Sequence, residues 1–403
     1  MTAHKTNHKS FFIISTVLLF IISSTLLISL YARGYKVDFT GRPSIKSTGI
    51  LSLLSKPKSA SVYINNHLTT ATDDTLALLP GEYAIKIVKD GFIPWEKNIQ
   101  IKKEIVTSID TQLFKSVPDI TALTVSGAIN PTLSPDGNKI IYAVASASAT
   151  KNNGLYLLDI SSSTLLSNNK NIPRQISPNY PNIDWSEFSF KFSPNSKNII
   201  ASHLDSQIHY LFSIDNPVTL KNISDITPRL EVIEKEWLEQ DAFYISNSLS
   251  KLPEELQNLI ATESSKNFKF SSSEEKILYL AKTDSEIPEN IVTPPINPST
   301  QIQHRKIEKD NYYVYDLKQD TNFLIGHKDQ INNPFWLAYS DNVIYVDNKE
   351  IKAIEYDATN KQTIFASNFD TSVVFPSPDG SKIITLTSPY QGTAENLYAI
   401  LIR

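Results

Sequence analysis

The sequence predicts a mainly β protein. One N-terminal transmembrane helix precedes a small β-sandwich, and a β-propeller of five to seven blades follows, six being the expected count, with one short helical insertion. Three observations carry this. Residues 11–31 form an uncharged apolar run, short alternating strands with Pro-Gly and Asp-Gly turns follow from 49 to about 114, and one turn-plus-strand pattern recurs after residue 120. The 403 residues are enough for two or three folded units. A net charge of −4 argues against a generally basic nucleic-acid binder. The absence of cysteine removes disulfides, thiolate metal sites and cysteine nucleophiles together.

Residues 1–10 form a short tail, and the run FFIISTVLLFIISSTLLISLY at 11–31 holds no charge, proline or glycine. At 1.5 Å per residue such a helix is about 31 Å long, matching a hydrocarbon core of about 30 Å. Six of the 21 residues are Ser or Thr, whose hydroxyls can return to carbonyls of the preceding turn. A cleaved signal peptide would have a shorter apolar region and a small-x-small site, whereas Leu30-Tyr31-Ala32 places a large residue there. A retained anchor is therefore expected, with a linker over 32–48. Lys5 and Lys9 precede the span and Arg33, Lys36, Arg42 and Lys46 follow it, so charge counting alone leans towards a cytoplasmic C-terminus. Long domains translocate despite flanking charge.

From 49 to 117 the pattern is that of a small antiparallel sandwich. Ala60-Ser-Val-Tyr-Ile-Asn65 is β-prone, and Asn65-Asn66 suits a tight hairpin turn. Tyr83, Ile85 and Ile87 alternate with Ala84, Lys86 and Val88, and Ile99 with Ile101 repeats the period of two. These residues resemble the PEGA domain through Gly49-Ile-Leu, Ser55-Lys-Pro-Lys-Ser-Ala60, Val62-Tyr-Ile-Asn65, Leu79-Pro-Gly-Glu-Tyr83, Lys89-Asp-Gly-Phe92 and Pro94-Trp95. Lys58 and Ser59 stand where the eponymous motif has Glu and Gly, which suggests that no positive φ is needed at Ser59. The resemblance implies a non-catalytic role in presentation or binding at the cell envelope.

Over 118–403 a repeat organises the chain. Leu133-Ser-Pro-Asp-Gly-Asn-Lys-Ile-Ile-Tyr142 recurs as Phe192-Ser-Pro-Asn-Ser-Lys-Asn-Ile-Ile-Ala201, Phe270-Ser-Ser-Ser-Glu-Glu-Lys-Ile-Leu-Tyr279 and Pro376-Ser-Pro-Asp-Gly-Ser-Lys-Ile-Ile-Thr385. A decayed copy is Trp336-Leu-Ala-Tyr-Ser-Asp-Asn-Val-Ile-Tyr345. Ser-Pro-Asp-Gly suits a turn, and a β-prone strand follows each time. One such hairpin cannot bury its own apolar face, so the units must stack. The apolar pairs begin at 140, 199, 277, 343 and 383. A blade takes about 40–50 residues, so the long gap between 199 and 277 holds either a further blade or an insertion. Trp237-Leu-Glu-Gln-Asp-Ala-Phe-Tyr-Ile-Ser246 fits a sixth copy, yet Leu230, Ile233, Trp237 and Leu238 also fit helical spacing. A helix is expected from Pro253 to about Thr262, with Leu252, Leu256, Leu259 and Ile260 on one face. Insertions are thus placed near 228–266 and 283–310. The second, with prolines at 288, 294, 295 and 298, reads as an excursion whose removal would leave the thermal midpoint nearly unchanged. The repeat resembles the WD40-like, TolB-type β-propeller. With the helix and the PEGA-like domain, the whole resembles membrane-tethered PEGA-domain proteins, which implies the N-terminus in the cytoplasm and the bulk of the chain outside it.

No phosphate loop, dinucleotide fingerprint or nucleophile elbow occurs. His203 and His209, six apart, fit neither helical nor strand ligand spacing, and Asp-rich calcium loops are absent. No catalytic, cofactor-binding or metal-binding residue is assigned, no cofactor is expected, and the expectation is a protein that is not an enzyme. Its partners would be the membrane, through the helix, and an envelope protein, peptide or polysaccharide, with no nucleic acid. Tyr180, Trp185, Phe335, Trp336 and Tyr390 lie in predicted loops as a possible binding surface, each also readable as blade packing. The alternative is a degenerate glycan-active propeller enzyme at the cell surface, which needs two acids about 5–10 Å apart in the central mouth.

Overall fold

The computed structural model describes residues 8–32, 35–38, 44–161, 172–215, 217–260, 267–295, 299–388 and 393–403. Two compact units divide the chain: residues 1–89 with 94–111, and residues 90–93 with 112–403. In the first, helix α1 spans His8–Ala32. Its segment Phe12–Ser29 has a mean hydropathy of 2.4 and is long and apolar enough to cross a bilayer. Thr16 Oγ1 donates to the Phe12 carbonyl at 2.8 Å and Thr25 Oγ1 to that of Ile21 at 2.7 Å, so these hydroxyls are satisfied without water. The stretch expected to be a plain linker holds a two-stranded ribbon, Tyr35–Asp38 against Ser44–Ser47.

The sandwich follows from its alternation. One sheet orders Asp74–Leu78, Gly49–Lys56 and Val106–Gln112; the other orders His67–Ala71, Ser61–Ile64, Gly81–Val88 and Trp95–Ile101. Leu51, Leu53, Val62, Ile85, Ile87, Trp95 and Ile101 are all buried. Asn65 and Asn66 take φ values of 49° and 66°, as the hairpin turn requires. The expectation for Ser59 is corrected: its φ is 58°, the conformation glycine would supply there. The loop is pinned beneath by a buried hydroxyl pair, Ser55 Oγ to Thr72 Oγ1 at 2.7 Å, and Thr72 Oγ1 also accepts the Ala60 N–H at 2.8 Å.

Among the described residues, the second unit contains five four-stranded antiparallel sheets, each carrying one copy of the repeat at its first turn. Blade 1 comprises Ile129–Leu133, Lys139–Val144, Gly154–Asp159 and Arg174–Pro178; blade 2, Phe188–Phe192, Asn198–His203, His209–Ser213 and Ser224–Asp225. Blade 3 is Phe268–Phe270, Lys276–Leu280, Asn311–Asp316 and Thr321–His327, and blade 4 is Asn332–Trp336, Asn342–Asp347, Glu350–Glu355 and Gln362–Ala366. Blade 5 takes Phe369–Pro376, Lys382–Thr387 and Asn396–Leu401, and its outer strand is Asp119–Ala122 from the start of the unit. That pairing closes the ring with the two ends of its own chain. Residues 112–116 also belong here: Phe114 is buried between blades 4 and 5, and the Lys115 N–H donates to the Ile402 carbonyl at 3.0 Å.

The repeat has one recurring job. In four copies the buried serine hydroxyl accepts the N–H five residues on: Ser134 from Lys139 at 2.9 Å, Ser193 from Asn198 at 2.9 Å, Ser271 from Lys276 at 3.2 Å and Ser377 from Lys382 at 3.0 Å. In the decayed copy Leu337 takes the serine's place and is wholly buried. The fourth turn position is left-handed in the same four copies, with φ of 73° at Gly137, 61° at Ser196, 56° at Glu274 and 66° at Gly380. The two glycines are not equivalent. A Cβ on Gly137 meets nothing, whereas one on Gly380 would lie 2.7 Å from the Ala338 carbonyl oxygen. Gly137→Ala should therefore cost about 1–2 kcal/mol from the left-handed backbone alone, and Gly380→Ala a further 1–3 kcal/mol or so from overpacking. Urea midpoints of the two variants check this difference.

Blades meet through apolar faces, with one exception. Buried clusters join blades 1 and 2, 3 and 4, 4 and 5, and 5 and 1. Between blades 2 and 3, helices take that place. Helix α2, Leu230–Leu249, packs Leu230, Ile233 and Trp237 onto Ile200 and Leu211 of blade 2. Its C-terminal Ile245 and Leu249 pack instead with Leu252, Leu256, Leu259 and Ile260 onto Ile277, Tyr279, Tyr313 and Tyr315 of blade 3. The single turn α3, Glu254–Gln257, is shorter than the helix expected at 253–262, but its predicted apolar face is buried as a set. Among the described residues five blades are present, within the expected range of five to seven but one short of the expected six, and the short helical insertion is corrected to one containing a 20-residue helix that packs on both blade 2 and blade 3. Trp237 belongs to that helix because its apolar neighbours repeat at 3.6 residues rather than two.

Candidate functional site

Of the aromatics proposed as a binding surface, three are blade pegs. Trp185 is wholly buried between blades 1 and 2, and its indole N–H donates to Ser177 Oγ at 3.1 Å and the Pro178 carbonyl at 3.0 Å. Phe335 is buried between blades 4 and 5; Trp336, between blades 3 and 4, donates to the Lys269 carbonyl at 2.9 Å. Tyr180 is half-buried, its hydroxyl donating to the Val218 carbonyl at 3.2 Å. Tyr390 lies outside the described residues. Large aromatics satisfy both the apolar and the polar demands of a blade junction.

The structure instead gathers its irregular features on the blade 2–blade 3 sector. The 283–310 excursion is built into blade 3: Ile287 and Ile307 are buried with the residues around α3, and a short ribbon pairs Ser285–Glu286 with Lys306–Ile307. Arg305 reaches Asp320 in the turn between the last two strands of blade 3, Nη2 to Oδ2 at 2.6 Å, and also donates to the Asp320 and Pro288 carbonyls. Asp320 also accepts the Asn290 N–H at 2.9 Å and the Tyr315 hydroxyl. Burial acts to raise the Asp320 pKa, but hydrogen bonds from Arg305 and Tyr315 with the guanidinium charge outweigh it and hold the carboxyl below its usual range. Asn322 links the same knot to the Tyr279 hydroxyl at 3.0 Å and the His304 carbonyl at 2.7 Å. Beside it Lys276 is buried, 3.1 Å from Asp341 of blade 4 and 4.6 Å from the Tyr356 ring. Every one of these charges is used in holding blades and insertions together.

Two open surfaces flank this sector. A shallow groove is lined by Asp284, Glu286, Lys306, Glu308, Lys309 and His327, with both charge signs interspersed. On the other side, α2 and the blade 2 turn enclose a depression lined by Asn195, Glu236, Glu239, Gln240, Phe243 and Tyr244. Phe243 is 69% exposed and Tyr244 48%, their rings edge to face at 6.2 Å. In the sequence this pair fits either the apolar core of a sixth copy or a helical insertion, and the structure places it on the helix. Its place on the outer side of a helix is legible only once Trp237 is fixed as the inner side. Among the described residues, no group of three His, Asp or Glu could hold a metal ion.

The sandwich has the alternating antiparallel strands and the Asn65-Asn66 turn anticipated from its pattern, and Trp95 is buried in it. Residues 48–116 match the PEGA domain. The match ends at 116, while Phe114 already packs with the propeller, so the last residues of the PEGA domain serve the second unit. No curated protein matches the chain by sequence. Among solved structures the chain is similar to TolB from Acinetobacter baumannii, at 11% identity over 79% of this chain and 59% of TolB, with a TM-score of 0.23. It is also similar to an oligogalacturonate lyase in complex with manganese (13% identity, 70% of this chain and 65% of the lyase, TM-score 0.23) and to the RRP9 WD40 repeats (8%, 72% and 99%, TM-score 0.31). The chain thus spans less than two thirds of TolB and of the lyase. The five-bladed arrangement rests on the strand pairing given above.

Proposed function

We propose that this protein is a non-enzymatic, membrane-tethered scaffold of the cell envelope, whose PEGA domain and propeller hold a protein- or glycan-binding surface away from the membrane. The recognition surface is the outer face of α2. The observation that carries the reading is a division of labour. The repeat serines, the junction aromatics and the buried ion pairs all act in folding, whereas Phe243 and Tyr244 spend large apolar area on solvent. Exposed aromatics of this kind mark interaction sites more often than structural ones.

Chemical cross-linking of the full chain in native membranes tests it. A Phe243→Ser/Tyr244→Ser variant should lose the principal cross-linked species while keeping the wild-type thermal midpoint. Turnover of a glycan or peptide by the purified full chain would overturn the non-enzymatic reading. The tether and the N-terminus-in orientation make a separate prediction. The chain should stay with membranes through alkaline carbonate washing, and external protease should digest its C-terminal part in intact cells. Release by carbonate sinks the tether, and protection of the C-terminal part sinks the orientation.

A further inference from the structure

The partner's chemistry can be read from α2. Val232, Glu236, Glu239 and Phe243 recur at i, i+4, i+7 and i+11, and all four are exposed, so they form one stripe along the outer face. The stripe rises roughly 16 Å from Val232 to Phe243, about three helical turns. Its ends are apolar and its middle is acidic. Glu239 has only a loose, exposed contact with Lys235 at 3.9 Å. Across 228–260 there are seven acids (231, 234, 236, 239, 241, 254 and 255) against three bases (229, 235 and 251), a balance of −4 equal to that of the entire chain. One of the bases, Lys251, is engaged by Glu274 of blade 3 at 3.0 Å, and one of the acids, Glu234, by Lys191 of blade 2 at 3.0 Å. The depression beside Phe243, floored by Asn195 and Gln240, has the polar edge and aromatic wall that seat one large apolar side chain.

We infer that this face docks a basic amphipathic helix of a partner protein, about three turns long, whose apolar residues meet Val232, Phe243 and Tyr244 while its Lys or Arg side chains meet Glu236 and Glu239. A second copy of this chain does not fit, because the same stripe would set acid against acid. An acidic peptide or an anionic lipid surface is repelled for the same reason. The inference rests on the scaffold reading above and narrows it to one class of partner.

The test uses the full chain in micelles of an uncharged detergent and two synthetic probes of about 18 residues. One is an amphipathic helix with lysine on its polar face; the other replaces each lysine with glutamate. The basic probe should bind at least about tenfold more tightly at low salt, and the preference should fade as ionic strength rises. Phe243→Ser should weaken it about tenfold, the size of a lost aromatic anchor. A Glu236→Lys/Glu239→Lys variant should reverse the preference. All three substitutions are at exposed positions, and unchanged circular dichroism melting confirms folding. Equal binding of the two probes, or undiminished binding by Phe243→Ser, would overturn the inference. If the probes fail in this way while the native cross-linked species still depends on Phe243 and Tyr244, the scaffold reading stands and only the basic-helix partner falls.

Discussion

Excising residues 283–310 should lower the thermal midpoint of the propeller by more than about 10 °C. Two isoleucines, Ile287 and Ile307, leave a buried cluster, at about 1.5–3 kcal/mol each. Losing Arg305 also strands Asp320, and removing one partner of a buried ion pair costs about 3–5 kcal/mol. Near 3 °C per kcal/mol for a unit of this size, these exceed 10 °C together. This differs from the expectation that removing the stretch leaves the midpoint nearly unchanged, because Ile287, Ile307 and Arg305 anchor it as single residues among prolines. Asp320→Asn isolates the ionic part. The Asp320 pKa is lowered in the folded state, so its stabilisation is present above the ordinary carboxylate pKa and is lost as pH falls through the folded value. The wild type should therefore lose stability below about pH 4, and the variant, less stable at neutral pH, should show a shallower loss across that window. Parallel slopes would show that Asp320 is not charged in the folded protein.

Trp237→Ala should be the most damaging single change in the insertion, at about 3–5 kcal/mol, while Phe243→Ser on the same helix should change stability by less than about 0.5 kcal/mol. Trp237 is buried against blade 2, where it closes the one junction that no neighbouring blade covers. Phe243 is mostly exposed, with its ring edge to face against Tyr244. Urea unfolding of the two variants gives the comparison directly. Equal effects would mean that α2 is not the element filling the ring between blades 2 and 3.

What the sequence by itself determined was local and periodic. The apolar run of α1, the alternation at Ile85 and Ile87, and the Asn65-Asn66 turn each depend on neighbours within a few residues, so pattern alone places them. The same holds for the five repeats. Each serine closes a turn onto its own chain five residues later, so counting serine turns, with one decayed copy, counts blades. The sixth position was undecided because Leu230, Ile233 and Trp237 offer an apolar face without saying what covers it. Tertiary structure decided it, since blades 2 and 3 each present an apolar face, and the 20-residue helix, with the residues that follow it, packs onto both. It also decided Arg305, whose partner Asp320 lies 15 residues away across a sheet turn, and Ser59, whose left-handed backbone is held by Ser55 and Thr72. The aromatics sort the same way. Trp185 and Phe243 are both large aromatics within predicted insertions or loops of the repeat, and only the packing of the ring turns one inward as a peg and leaves the other facing water.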